Sequence, residues 1–180
     1  MKKLALLLLC CGLAAVFSVG QTECPNWPKP PFDTTGLYKG TWSGQTTEPA
    51  AKQQAVEDCP LTINLQQNVN AAYPGDHGVK GTVEIDYSCV EWPDWVTQTP
   101  PPSTVQVGGL LADDGTLTLL SGGCGAGICL VLALSGQGAD TDSDGLMDTY
   151  AGAWSFTILL AGVQPFGVTG TFETERWLER

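Results

Sequence analysis

Residues 59–89 read C-P-L-T-I-N-L-Q-Q-N-V-N-A-A-Y-P-G-D-H-G-V-K-G-T-V-E-I-D-Y-S-C. Apolar and polar residues alternate on both sides of Pro74-Gly75, which is the period of a half-buried strand and not of a helix. A hairpin centred on Pro74-Gly75 opposes Cys59 to Cys89, Leu61 to Tyr87, Ile63 to Ile85, Leu65 to Val83 and Val69 to Val79. All of these fall on one face. The other face carries Thr62, Asn64, Gln66 and Asn68 against Lys80, Thr82, Glu84, Asp86 and Ser88. One register gathers the apolar set and opposes two cysteines, as cross-strand pairing requires. A Cys59–Cys89 disulfide is therefore predicted. By restricting the unfolded chain over about thirty residues, it would stabilise the fold by roughly 3–4 kcal/mol.

The same alternation, broken by Gly, Pro, Asn and Asp, recurs along the chain, and no window after residue 20 has a helical period. Eight strands are predicted, at about 36–47, 59–69, 79–90, 104–111, 115–120, 128–136, 150–161 and 167–177. Asp113-Asp114-Gly115 joins the fourth to the fifth, since Asp-Gly favours a tight hairpin turn. Cys124 and Cys129 bracket the next turn and are expected to pin it. The sixth strand, I-C-L-V-L-A-L, is apolar on both faces, so its outer side should be covered. Tyr150, Trp154, Phe156, Ile158 and Leu160 share one face of the seventh. In the eighth, Phe166, Val168 and Phe172 point inward, and Thr169, Thr171, Glu173 and Glu175 point outward. Short strands with short links suggest an all-β fold, an eight-stranded antiparallel up-and-down barrel. A β-sandwich is the alternative, because closure leaves no mark on a sequence.

The start of the chain is a different kind of segment. Met1-Lys2-Lys3, the apolar run Leu4–Phe17 and the small residues Ser18 and Gly20 form a secretory signal peptide over 1–20. Cys10, Cys11 and Cys24 each lack the small preceding residue of a lipoprotein site, which argues against lipidation. A Pro-rich segment, 21–35, precedes a single domain, 36–180. The expected location is secreted, periplasmic or cell-surface. The full chain has a net charge of −11; cleavage removes two of the eight basic residues and none of the 19 acids, leaving −13. That surface repels nucleic acid and anionic membranes, and no later apolar run spans a bilayer. Five cysteines remain after cleavage, and export permits disulfides. Cys24 is left over for a free thiol or an intermolecular bond. Zinc is disfavoured, since C-x2-C is absent and His77 is the only histidine.

The second informative stretch is D-T-D-S-D-G-L-M-D at residues 140–148. Calcium takes roughly six to eight oxygen ligands. Asp140, Asp142 and Asp144 occupy alternate positions and can turn toward one point. Gly145 permits the reversal, Leu146 would supply its carbonyl, and Asp148 would ligate directly or through water. The pattern resembles the D-x-D-x-D-G loops of EF-hands, dockerins and thrombospondin type 3 repeats, and that resemblance implies calcium binding. An EF-hand has a bidentate Glu at its twelfth position and flanking helices. Here that position is Ala151 and the flanks read as strands, so a calcium-stapled loop fits better than a helix-opening switch. Asp113, Asp114 or Glu48 could supply a further ligand.

Gly40-Thr41-Trp42 resembles the G-x-W start of lipocalins and avidins. In that superfamily the Trp plugs one barrel end, and in lipocalins an Arg from the last strand packs on it; Arg176 sits at the matching place. The biotin-binding Asn of avidin is not matched in Ser43-Gly44-Gln45. His77, in a Gly-Asp-His-Gly hairpin tip, reads as a solvated turn, and no catalytic constellation is visible. Trp92 and Trp95 could stack on a ligand, cover the apolar outer strands or meet a partner, and Trp27 could dock or contact a partner too. The expected function is that of a calcium-stabilised, lipocalin-like barrel binding a small or apolar ligand. The alternative is a structural or adhesive module that meets a protein partner through Trp92, Trp95 or Cys24.

Overall fold

The computed structural model describes residues 29–47, 54–67, 77–86, 88–90, 103–125, 128–160 and 166–178. These form β1 (Gly36–Thr46), β2 (Ala55–Gln67), β3 (Gly78–Ile85), β4 (Ser103–Leu111), β5 (Thr116–Gly125), β6 (Ile128–Ala139), β7 (Thr149–Leu160) and β8 (Phe166–Arg176). Each strand pairs antiparallel with its sequence neighbour. β8 returns to β1 from Tyr38↔Arg176 to Thr46↔Val168, which closes the barrel. That last pairing excludes the sandwich. Among the described residues no helix is long and apolar enough to cross a membrane.

The inward set is the one the alternation selects. Tyr38, Trp42, Leu61, Ile63, Val83, Leu119, Leu132, Leu134, Tyr150, Trp154, Phe156 and Phe172 are all buried. They fill the narrow interior that eight strands enclose. The Trp42 and Trp154 rings meet at 4.1 Å between centroids, tilted by 55°. Beside them Gly44 pairs with Gly170, and on the neighbouring strands β6 and β7 Gly136 pairs with Gly152. A Cβ at Gly170 would collide with the Ser43 carbonyl, and one at Gly152 with the Ser135 carbonyl. Glycine is what lets these strands coil closely around bulky rings.

Several local expectations are corrected. The β2–β3 register is Leu61↔Ile85, Ile63↔Val83, Leu65↔Gly81 and Gln67↔Val79, two residues from the predicted one. A two-residue slip keeps every side chain on its face, so the inward residues are unchanged. Val69 and Tyr87 lie outside the described residues. β3 stops at Ile85. The Asp86 carboxylate then accepts the Ser88 amide at 2.8 Å, in a turn that carries Cys89 back toward β2. The Cys59–Cys89 disulfide forms with Cα atoms 6.0 Å apart, but from a turn and not from a cross-strand pair. Cys124 and Cys129 are instead a direct pair of β5 and β6 and are bridged. β2 begins before Cys59 because of a bulge: Trp42 faces Cys59 and Gly44 faces Val56, so Glu57 and Asp58 share one position. Asp58 takes a left-handed φ of 51° there, and the break in alternation hid this part of the strand.

Arg176 registers with Tyr38, four residues from the level of Trp42, and its Nη2 donates to the Thr35 carbonyl at 2.6 Å. The lipocalin-type placement of this Arg beside Trp42 is thus not what the β1–β8 register gives. His77 is not a free tip. Its Nδ1 lies 2.6 Å from the Leu111 carbonyl oxygen and its Nε2 lies 3.5 Å from Asp113, tying it to the end of β4. The outer side of β6 is uncovered among the described residues, with Val131 44 % exposed. Trp27, Trp92, Trp95, Cys24 and Glu48 lie outside the described residues.

Candidate metal centre

β6 and β7 end their pairing at Ala139↔Thr149, and residues 140–148 form the loop between them. The Asp148 amide donates to the Ala139 carbonyl at 2.8 Å, which closes the neck of the loop. Inside it the chain must reverse within a few residues. Gly145 does so at φ 86°, as its lack of a Cβ predicts, and Ser143 is also left-handed at φ 65°.

The carboxylates fold back on the loop's own donors. Asp140 accepts the Ser143 amide at 2.7 Å through Oδ1 and the Gly145 amide at 2.9 Å through Oδ2. Asp142 accepts the Asp144 amide at 3.1 Å. Asp148 accepts both the amide (2.7 Å) and the hydroxyl (2.6 Å) of Thr141. The Thr141 hydroxyl and amide hold the Asp148 carboxyl below the usual carboxylate range, with smaller help from the Asp142 amide and the nearby Arg176 cation.

Asp140, Asp142 and Asp148 can each offer a carboxylate oxygen within 4.8 Å of the other two. Oxygens on opposite sides of a calcium ion, each at about 2.3–2.6 Å, are about 5 Å apart, so this spread fits one ion. Three short carboxylates with no histidine or cysteine form a hard-oxygen set suited to calcium or magnesium and poorly suited to zinc. Asp144 is in the same loop but outside this group of three; its Oδ1 accepts the Leu146 amide at 2.8 Å. Leu146 forms a parallel bridge with Asp33. Asp113 and Asp114 sit in the β4–β5 turn, where Asp113 faces His77 and Asp114 accepts the Thr116 amide at 2.9 Å. Neither joins the cluster.

The loop is fastened to the barrel end by residues that carry no sequence signal. The Asp33 amide donates to the Gly145 carbonyl at 2.8 Å, and the Met147 amide donates to the Asp33 carbonyl at 2.9 Å. The buried Tyr38 hydroxyl donates to the Thr34 and Met147 carbonyls at 2.9 and 3.1 Å. Burial is the main reason that hydroxyl resists ionisation, and it stays a donor. The Arg176 amide donates to the Asp148 carbonyl at 2.7 Å. Phe32 and Met147 crowd against Gly138. The loop, the entry segment and the ends of β1, β6 and β8 therefore form one hydrogen-bonded cap over this end of the barrel.

Fold and site together define an eight-stranded antiparallel barrel with an acidic, metal-compatible loop at one end. The chain matches no protein-family model, no curated protein and no solved structure.

Proposed function

We propose that this chain is an exported structural or adhesive module whose capped end is rigidified by one calcium ion. Asp140, Asp142 and Asp148 hold the ion. The Leu146 carbonyl and, after a side-chain rotation, Asp144 complete the loop's share of ligands. The observation that carries the reading is the spread of those three carboxylates on a loop sewn to both the entry segment and the barrel. Binding there would lock the cap, because it compensates the like charges that otherwise push the loop apart. The two disulfides fit an oxidising compartment, as the signal-like start of the chain predicts. The packed interior favours a module that works through its surface, with Trp92, Trp95 and Cys24 as candidate contacts.

Native mass spectrometry and thermal unfolding, with and without EDTA, test this. A single calcium adduct is expected. At about 2 mM calcium, a site with a dissociation constant near 10⁻⁴ M adds roughly 1.8 kcal/mol, or about 4–7 °C in Tm. A wild-type Tm indifferent to EDTA would overturn the reading.

One observation favours a second reading, a small ligand held inside the barrel. The indole N–H groups of Trp42 and Trp154 are buried and have no acceptor among the described residues. Leaving such donors unpaired costs about 1–3 kcal/mol each, and a ligand with an acceptor oxygen beside the two indole nitrogens would satisfy them. A small molecule retained by the native protein and lost from Trp42→Phe would establish this reading; a ligand-free spectrum would remove it.

A further inference from the structure

The outer wall of the barrel is divided by charge. β1, β2, β3 and β8 carry Lys39, Glu57, Asp58, Lys80, Glu84, Glu173, Glu175 and Arg176. The four consecutive strands β4 to β7, of 9, 10, 12 and 12 residues, carry no charged side chain. In a chain of net charge −11 this is a large neutral surface.

That surface also has relief. Leu110, Leu120, Val131 and Leu159 point outward and are 66, 56, 44 and 40 % exposed. The register makes them successive diagonal neighbours. Leu110 faces Thr118, two residues before Leu120. Leu120 faces Ala133, two residues after Val131. Val131 faces Thr157, two residues before Leu159. Each step moves the same way along the barrel, so the four side chains form one oblique apolar ridge. Diagonal neighbours stand about 7–8 Å apart, which makes the ridge continuous. It is flanked by the small residues Gly108, Gly122, Ala133 and Ser155.

We propose that this neutral wall is the docking face for a second copy of the chain, in a two-fold symmetric dimer. Charge selects the occupant. Two copies with this net charge repel, and the β4–β7 wall is the one side of the barrel on which they can touch without opposing charged strand residues. A symmetric pair puts the same patch on both sides, so each ridge lies along the small residues that flank the other. The wall offers no charged side chain to a foreign protein of opposite charge, and anionic lipid is repelled by the acidic remainder. Four strands about 4.8 Å apart and about 30–40 Å long present roughly 600 Å² per copy. The wall is half of a closed, convex barrel, so two copies bury only part of this area, below the range of stable specific interfaces, and the dimer is a weak one. The proposal does not depend on calcium.

Sedimentation equilibrium of the purified mature chain, from about 1 to 100 µM, tests the proposal. A reversible monomer–dimer equilibrium is expected. Leu120→Glu and Leu120→Lys should each weaken it at least about tenfold. Losing the dimer with either sign of charge distinguishes lost apolar contact from altered net charge. Lys39→Glu, on the charged wall, should leave it intact. Near-UV circular dichroism checks that each variant folds; should Leu120 variants fail, Val131→Lys and Leu110→Lys decide. Monomer throughout this range overturns the proposal, as does a dimer indifferent to these variants. So does a monomer that sediments with zwitterionic phosphatidylcholine vesicles, which would make lipid the occupant.

Discussion

The two halves of this barrel have the same inside and different outsides. Leu61, Ile63, Val83 and Phe172 line one half; Leu119, Leu132, Leu134 and Trp154 line the other, and all are buried. Each half has one glycine pair where strands crowd, and each has one disulfide. Outside, one half is charged and the other is neutral with an apolar ridge. Folding consumes only the inward alternation, so it does not account for the outward difference. A folding chain could carry charges on β4–β7 as easily as on β8. The second-copy proposal gives their absence a physical reason.

This comparison can be broken by experiment. The largest effects should fall on the shared interior. Gly170→Ala and Gly152→Ala each drive a methyl into a neighbouring carbonyl, one per half, and each should cost about 3 kcal/mol. Thermal unfolding should show a loss of roughly 6–12 °C for both. A severe loss in only one half would mean that the halves do not share one close-packed interior.

The disulfides should separate the halves next. In the loop-entropy account, stabilisation grows with the length of chain enclosed. Cys59–Cys89 spans 30 residues and Cys124–Cys129 spans 5. Replacing both members with Ala should cost about 3.6 kcal/mol for the first pair and about 2 kcal/mol for the second. Denaturant titration reads the difference, and a reversed order would show that native packing, not chain entropy, sets the value of these bonds.

A smaller effect falls on the cap. Asp142→Ala should remove the roughly 4–7 °C that calcium contributes to Tm while leaving the protein in EDTA nearly unchanged. Equal loss in both conditions would mean that Asp142 stabilises the loop itself and not an ion.

The smallest effect is pH-dependent and confined to the same loop. The Asp148 carboxyl is held low by Thr141. A depressed folded-state value stabilises the protein above the unfolded pKa near 3.9, and that contribution disappears as pH falls through the lower folded value. In EDTA, Thr141→Val should lower Tm slightly at pH 6, and its curve should converge with wild type once acid protonates this carboxyl in the folded protein. Parallel curves at all pH values would mean that Thr141 contributes packing instead.

Much of the fold was legible in the sequence, for a definite reason. Alternation with period two is a local signal, and each of the eight expected strands is present, with Tyr150, Phe156, Phe166, Val168 and Phe172 inward as read. What failed locally was the bulge at Glu57-Asp58, which breaks the period, and the β2–β3 register, in which a two-residue slip preserves both faces. The Cys59–Cys89 bond was named correctly from a pairing that does not occur, because the Asp86–Ser88 turn delivers Cys89 to the same place. In the loop, the Asp spacing and Gly145 were readable because a tight turn is encoded by adjacent residues. Asp144 falling outside the carboxylate cluster depends on a side-chain hydrogen bond that spacing cannot specify.

The sequence by itself determined the strands, their inward faces, the Cys124–Cys129 pair and a concentrated acidic turn. All are settled by residues near in the chain or by one hairpin's alternation. Only the tertiary structure decided that β8 meets β1, that Asp33 bridges to Leu146, and that Leu110, Leu120, Val131 and Leu159 form one ridge. Those facts depend on how strands far apart in sequence are staggered. Stagger is fixed by closing the barrel around its aromatic interior, a condition no single segment contains.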